Sequence, residues 1–122
     1  MEFIPGKGVY TLSNPGIDSR QCLAPHNSSS TQLTITRVTV APGVTQPRHC
    51  HDSSEQIWLA LSGSGQLLLA DGASKTFEAG DVARFEKGDI HGLYNDTAET
   101  FEYISVTTPP IDFGYAYRDG KP

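Results

Sequence analysis

The chain has 122 residues and a net charge of −5, with nine Lys and Arg against 14 Asp and Glu, a length that fits one domain (1–122) able to bury its own core. It lacks the basic stripe of a nucleic-acid binder, and no stretch approaches the ~20 apolar residues of a membrane span. Its two cysteines, Cys22 and Cys50, form no CxxC pair or disulfide framework, and Met1 to Lys7 holds no apolar run long enough for a signal peptide, so the expectation is a cytoplasmic protein without nucleic-acid or membrane partners.

Twelve glycines and eight prolines predict many turns between short strands. Val9 to Leu12 is a short extended segment closed by Asn14-Pro15-Gly16. Asn27 to Thr31 is a polar loop, and His26 beside Pro25 is an exposed loop residue. Asn27 and Asn95 each begin an Asn-x-Ser/Thr triplet, read as chance matches. Leu33 to Val40 is β-branched and alternating, a strand that Pro42-Gly43 ends. Gln56 to Leu61 is a second strand, stopped by the glycine-rich Ser62 to Gly65, and Gln66 to Ala70 returns from that hairpin. Lys75–Glu78, Asp81–Phe85, His91–Asn95 and Thr100–Thr107 complete the series, and Pro109-Pro110 stops the last. No segment keeps a helical period. Regular short strands between turns predict an all-β sandwich, jelly roll or small closed barrel. The aromatic tail, Ile111 to Pro122, is expected to pack outside the barrel or against a partner subunit.

Three of the four histidines sit at two of these turns. His49 and His51 are two residues apart, so in extended chain both imidazoles enter the same interior and Cys50 points the other way. Glu55 opens the next strand and, by alternation, shares a face with Ile57, Leu59 and Leu61, expected to be core. A carboxylate on an apolar face needs a cation. By the same alternation Trp58 faces outward or toward a dimer partner. His91 follows the tight Gly88-Asp89-Ile90 turn, and a barrel brings such distant strands together. The predicted ligands are therefore His49, His51, Glu55 and His91, a set suited to one divalent transition metal (Fe, Mn, Co, Ni, Cu or Zn).

These residues resemble a known pattern. Gly43, five residues, His49-Cys50-His51, three residues and Glu55 resemble the first cupin motif, whose closing glycine, Gly63, falls one residue late. Gly80, five residues, Glu86-Lys87-Gly88, two residues, His91, three residues and Asn95 resemble the second, with Glu86 where the family has proline. The resemblance covers a core of about 33–107. It implies a double-stranded β-helix, or jelly roll, of the small single-domain cupin kind, with a metal inside near one mouth. It also implies a homodimer, which would protect exposed sheet edges.

Arg37, Arg84, Tyr94 and Tyr103 are the candidate catalytic or substrate-binding residues, because an arginine facing the interior would clamp a carboxylate. Arg48 and Gln56 flank the ligands and are candidates to orient them. The resemblance implies a metal-dependent enzyme acting on a small polar or anionic organic molecule. It would be a dioxygenase, or an isomerase, lyase or cyclase on a sugar acid or keto compound. The alternative is a non-catalytic metal- and ligand-binding module.

Overall fold

Alternation along the chain, broken every four to eight residues by a turn, builds ten strands in a computed structural model that describes residues 1–117. They are β1 (Thr11–Asn14), β2 (Ile17–Leu23), β3 (Thr34–Val40), β4 (Thr45–His49) and β5 (Glu55–Ser62). They continue with β6 (Ser64–Leu69), β7 (Ser74–Glu78), β8 (Val82–Phe85), β9 (His91–Tyr94) and β10 (Phe101–Thr108). One sheet runs β1-β2-β3-β10-β5-β8 and the other β4-β9-β6-β7, with every pairing antiparallel. The two sheets enclose one interior, the jelly-roll arrangement the strand pattern predicts. Among the described residues no helix is long and apolar enough to cross a membrane.

The interior changes character along its length. On the inner face of β10, Phe101, Tyr103, Ser105 and Thr107 follow one another, opposite Val40, Val38, Thr36 and Thr34 of β3. On β2 the inward residues are Ile17, Ser19 and Gln21. One end is thus sealed by Val40, Phe101, Leu93 and Phe77, all within 2% of full burial. The other end is lined with hydroxyls and amides. Apolar burial stabilises the closed end, and the polar end is where a ligand site is affordable.

Strands β3 and β5 to β10 lie within two residues of the predicted segments. β1 is shifted two residues later, and β2 was not anticipated. Its inward residues include Ser19 and Gln21 and its outward ones Asp18 and Arg20, so polarity does not alternate. The loop at Asn27 is held rather than loose. The Ala24 N–H donates to the Asn27 side chain at 2.9 Å, and Glu2 accepts from the Ser28 hydroxyl and the Ser29 N–H. Asn95 is fully buried, donating to the Val40 and Glu99 carbonyls while accepting from Thr97.

The predicted phase of β5 is reversed. Gln56, Trp58 and Ala60 face the core, while Leu59 and Leu61 are exposed and Ile57 is half-buried on the outer face. Both phases of this strand carry apolar side chains, so alternation alone is ambiguous. Tryptophan settles it: Trp58 is 1% exposed, its indole N–H satisfied by Gln56 and its ring packed on Tyr103 and Phe85. The aromatic tail was expected to run over Ile111 to Pro122, of which 118–122 lie outside the described residues. The turn Phe113–Ala116 and Tyr117 lie over the polar mouth, with Asn14 Nδ2 donating to the Ala116 carbonyl at 3.0 Å.

At Gly92 an added Cβ would lie 2.7 Å from the Gln46 carbonyl oxygen and 3.0 Å from Arg48 N, both backbone atoms of β4. Gly92→Ala is expected to push β4 off β9 and cost roughly 1–3 kcal/mol. Urea unfolding measures it, and an unchanged midpoint would show that the close approach does not matter.

Candidate metal centre

His49 and His91 are directly paired across β4 and β9. His51 follows in the loop after β4, which is tied to the β8–β9 turn by the Gly88 N–H donating to the His51 carbonyl at 2.9 Å. Ring centroids are 4.4 Å apart for His49 and His91, 5.1 Å for His49 and His51, and 5.4 Å for His51 and His91. One ligand nitrogen from each lies within 4.8 Å of the other two, so the three are positioned to hold a single metal ion.

Backbone carbonyls set the tautomers. His49 Nδ1 is 2.8 Å from the Pro47 carbonyl, and His91 Nδ1 is 2.8 Å from the Asp89 carbonyl. A carbonyl only accepts, so each Nδ1 carries the proton and each Nε2 offers a lone pair. His51 Nε2 is buried with no hydrogen-bond partner, an arrangement that costs free energy unless something binds it. Burial, ahead of the nearby His49 charge, lowers the His51 pKa. Burial also takes His91 down to about 4, against a partial offset from its Asp89 hydrogen bond. Phe85 stacks on the His91 ring at 4.3 Å and holds its plane.

The structure does not bring Glu55 to this cluster. Facing outward on β5, its carboxylate accepts from Arg84 Nη2 at 2.8 Å. Gln56, 4% exposed, takes the inward position. Its Nε2 donates to Thr107 Oγ1 at 2.9 Å, and its Oε1 accepts from Trp58 Nε1 at 3.2 Å. The amide is therefore oriented with oxygen toward the histidines, 3.0 Å from His91 Nε2. Two lone pairs face each other there, since neutral His91 has already placed its one N–H on Asp89. A cation between them resolves the conflict, so the donor set fits a metal. Counted from Gln56 rather than Glu55, Gly63 falls at the family spacing; its late position was the available signal.

Three of the four candidate catalytic residues lie outside the barrel. Arg37 pairs with Glu102 at 2.9 Å on the outer face, Arg84 pairs with Glu55, and Tyr94 is 39% exposed. Tyr103 alone points inward, 1% exposed, its hydroxyl donating to Gln46 Oε1 at 2.7 Å. Arg48 bonds the Leu69 and Ala73 carbonyls, fastening β4 to the end of β6. Exposed Cys50 lies on the rim of a cavity of about 330 Å³ beside the histidines. Gln46, Trp58 and the tail aromatics, also in that wall, were not anticipated as site residues. At Glu86, where the family pattern has proline, the backbone N–H donates to Asp89 Oδ2 at 2.8 Å, and the Asp89 N–H returns to the Glu86 carbonyl. Proline has no N–H to give, so this turn is fixed by a side chain instead.

An antiparallel jelly roll with three imidazoles gathered at one mouth defines a β-barrel with a candidate metal site. The family model for the Cupin domain matches residues 36–107, and the chain belongs to the cupin family. Its structure is similar to that of KdgF from Halomonas sp., at 19% identity and TM-score 0.76, covering 91% of this chain and 97% of that one. It is similar to the polyketide cyclase RemF from Streptomyces resistomycificus, at 20% identity and TM-score 0.76, covering 88% and 79%. A Cupin 2 conserved barrel domain protein from Salinispora arenicola CNS-205 is 30% identical with a TM-score of 0.70, covering 88% and 87%.

The lowered histidine values set a pH dependence. The folded metal-free protein keeps His91 neutral down to about pH 4, whereas the unfolded chain takes up that proton near the ordinary value of 6.5. Between these limits the unfolded state binds more protons, so stability falls as pH drops from 6.5 toward 4 and levels off below. One such group gives a slope of at most about 1.4 kcal/mol per pH unit. Urea unfolding of chelator-treated protein at pH 7, 6 and 5 reads the slope. His91→Asn is expected to flatten it, and an unaltered slope in that variant would assign the effect elsewhere.

Proposed function

We propose that this cupin is a metal-dependent enzyme that isomerises, cyclises or eliminates from a small organic molecule, with His49, His51, His91 and Gln56 holding one divalent ion. The observation that carries this is the cluster of three imidazoles beside a cavity at the barrel's mouth, with the fixed Gln56 oxygen 3.0 Å from His91 Nε2. Every one of these donors is neutral. A bound divalent ion would keep its full charge there and act as a Lewis acid on a substrate oxygen. Non-haem iron oxygenases characteristically use two histidines and a carboxylate, and the carboxylate expected at Glu55 is turned away. The donor chemistry therefore favours the redox-silent branch over the dioxygenase branch.

The chain's own residues supply the rest. Trp58 and Thr107 hold the Gln56 amide, and the Pro47 and Asp89 carbonyls hold two imidazoles, so three of the four donors are set before any ion arrives. Burial raises the Tyr103 pKa well above that of an ordinary phenol. Tyr103 thus stays protonated, with its one proton donated to Gln46 Oε1, and is not a base. The fold is known to host such chemistry, since one similar structure is a polyketide cyclase. The homodimer implied by the resemblance is part of this proposal: the outer face bearing Leu59, Leu61 and Val82 is the apolar surface that pairing would cover.

Elemental analysis after purification without chelator or nickel resin tests the site. Zinc, nickel, cobalt or manganese near one ion per chain is expected, lost in His51→Ala and Gln56→Ala and retained in Glu55→Gln. His51→Ala is expected to stay folded, because the apolar end of the barrel does not involve the ion. Iron with substrate-dependent O₂ uptake would contradict the redox-silent reading. Tight ligand binding with no turnover would favour a binding module.

A further inference from the structure

The sequence suggests a small polar or anionic ligand, and the lining of the cavity beside the histidines bears on which of the two it suits. Among the described residues, none that lines it is Asp, Glu, Lys or Arg. The arginines that were to clamp a carboxylate, Arg37 and Arg84, are on the outer face, each already paired with a glutamate. An anionic ligand moved from water into this wall would find no cationic side chain among the described residues, and only a metal ion at the histidine end would offset its charge.

What lines the wall is aromatic and neutral. Trp58 and Tyr103 both line it, their rings 4.3 Å apart and tilted by 31°. Phe113, Tyr115 and Tyr117 come over the mouth from the tail, with Phe113 6.0 Å from the His51 ring. With so many flat side chains in its wall, the cavity suits a flat guest, which gains from offset or edge-on ring contact. The cavity also holds polar groups with spare capacity. Ser105, 4% exposed, lines the cavity, and its hydroxyl is buried with no hydrogen-bond partner. Such a group costs free energy unless a ligand satisfies it. Gln46, in the same wall, has its amide oxygen occupied by the Tyr103 hydroxyl. The volume, about 330 Å³, is roughly twice the ~150 Å³ of a cavity that accepts one benzene.

We propose that the cavity binds an uncharged, planar ring compound of one or two rings, carrying a hydroxyl or ketone oxygen that reaches the histidine end, with Ser105 bonding a second polar atom. This rests on the proposed enzymatic reading for the role of the histidines, but the aromatic wall and Ser105 stand apart from the metal. Burial also raises the Tyr117 and Tyr103 pKa values, keeping both phenols neutral. Away from the histidine end the ligand is therefore met by hydrogen bonds and ring faces rather than by charged side chains.

Calorimetric titration of the purified full-length protein, with its metal content measured on the same sample, tests this with two probes. The first is 2-naphthol, planar and neutral at pH 7; the second is glucuronate, a sugar acid. Saturable binding of 2-naphthol, tighter than that of glucuronate, is the expected result. Ser105→Ala is expected to weaken 2-naphthol binding roughly two- to tenfold, the range of one hydrogen bond. Tyr115→Ala, at a position 75% exposed and so free of folding cost, is expected to weaken it as well. Failure of 2-naphthol to saturate, preferential binding of glucuronate, or 2-naphthol binding untouched by both substitutions would overturn the proposal. Metal bound without 2-naphthol binding would sink the ring-compound proposal and leave the metal centre standing. Binding of 2-naphthol to a protein that takes up no metal would do the reverse.

Discussion

Everything at the polar mouth depends on how three side chains, His49, His91 and Gln56, are locked before any ligand arrives. The Pro47 and Asp89 carbonyls each take an imidazole N–H. Trp58 and Thr107 take opposite ends of the Gln56 amide. These bonds fix which atoms are left over: nitrogen lone pairs and one amide oxygen, all turned to a common point. Like partial charges gathered in a half-buried place repel one another, and a cation is the simplest thing that turns the cost into a gain. The barrel tolerates the arrangement because its opposite end is sealed by apolar packing around Phe101, Val40 and Leu93.

The gradient along β3 and β10 links fold to chemistry. Midway along these strands larger side chains give way to small hydroxyl-bearing ones: Phe101 and Tyr103 to Ser105 and Thr107, and Val40 and Val38 to Thr36 and Thr34. Packing is complete where the side chains are large and incomplete where they are small. The cavity opens where the hydroxyls begin, bounded by the histidines from β4 and β9 and by the aromatic tail. Neutral donors and a neutral wall then work together. A metal held there would be the strongest local charge, acting on whatever oxygen the cavity presents.

The strand pattern, the histidine spacing and the family resemblance were legible because each rests on a local signal: β-branched alternation, glycine turns and an i, i+2 pair. What was misread came from places where polarity does not report facing. In β5 both phases carry apolar residues, so Glu55 was expected inside and Trp58 outside, and the structure reverses them. The size of an indole and its need for a hydrogen-bond acceptor carried the correct phase, as did the late Gly63. In β2, Ser19 and Gln21 face in while Asp18 and Arg20 face out, which leaves no contrast to read. Arg37, Arg84 and Tyr94 lie outside for a related reason: exposed ion pairs with glutamates on the neighbouring strands satisfy the arginines without the interior. The tail's place over the mouth depends on contacts such as Asn14 with Ala116, 102 residues apart in sequence, and no local pattern announces them.

A crystal of metal-loaded protein, with diffraction collected on both sides of the metal's absorption edge, tests the arrangement most directly. The anomalous peak is expected within bonding distance of His49, His51 and His91 Nε2 and of Gln56 Oε1. A peak bonded to the Glu55 carboxylate, or no peak inside the barrel, would contradict it.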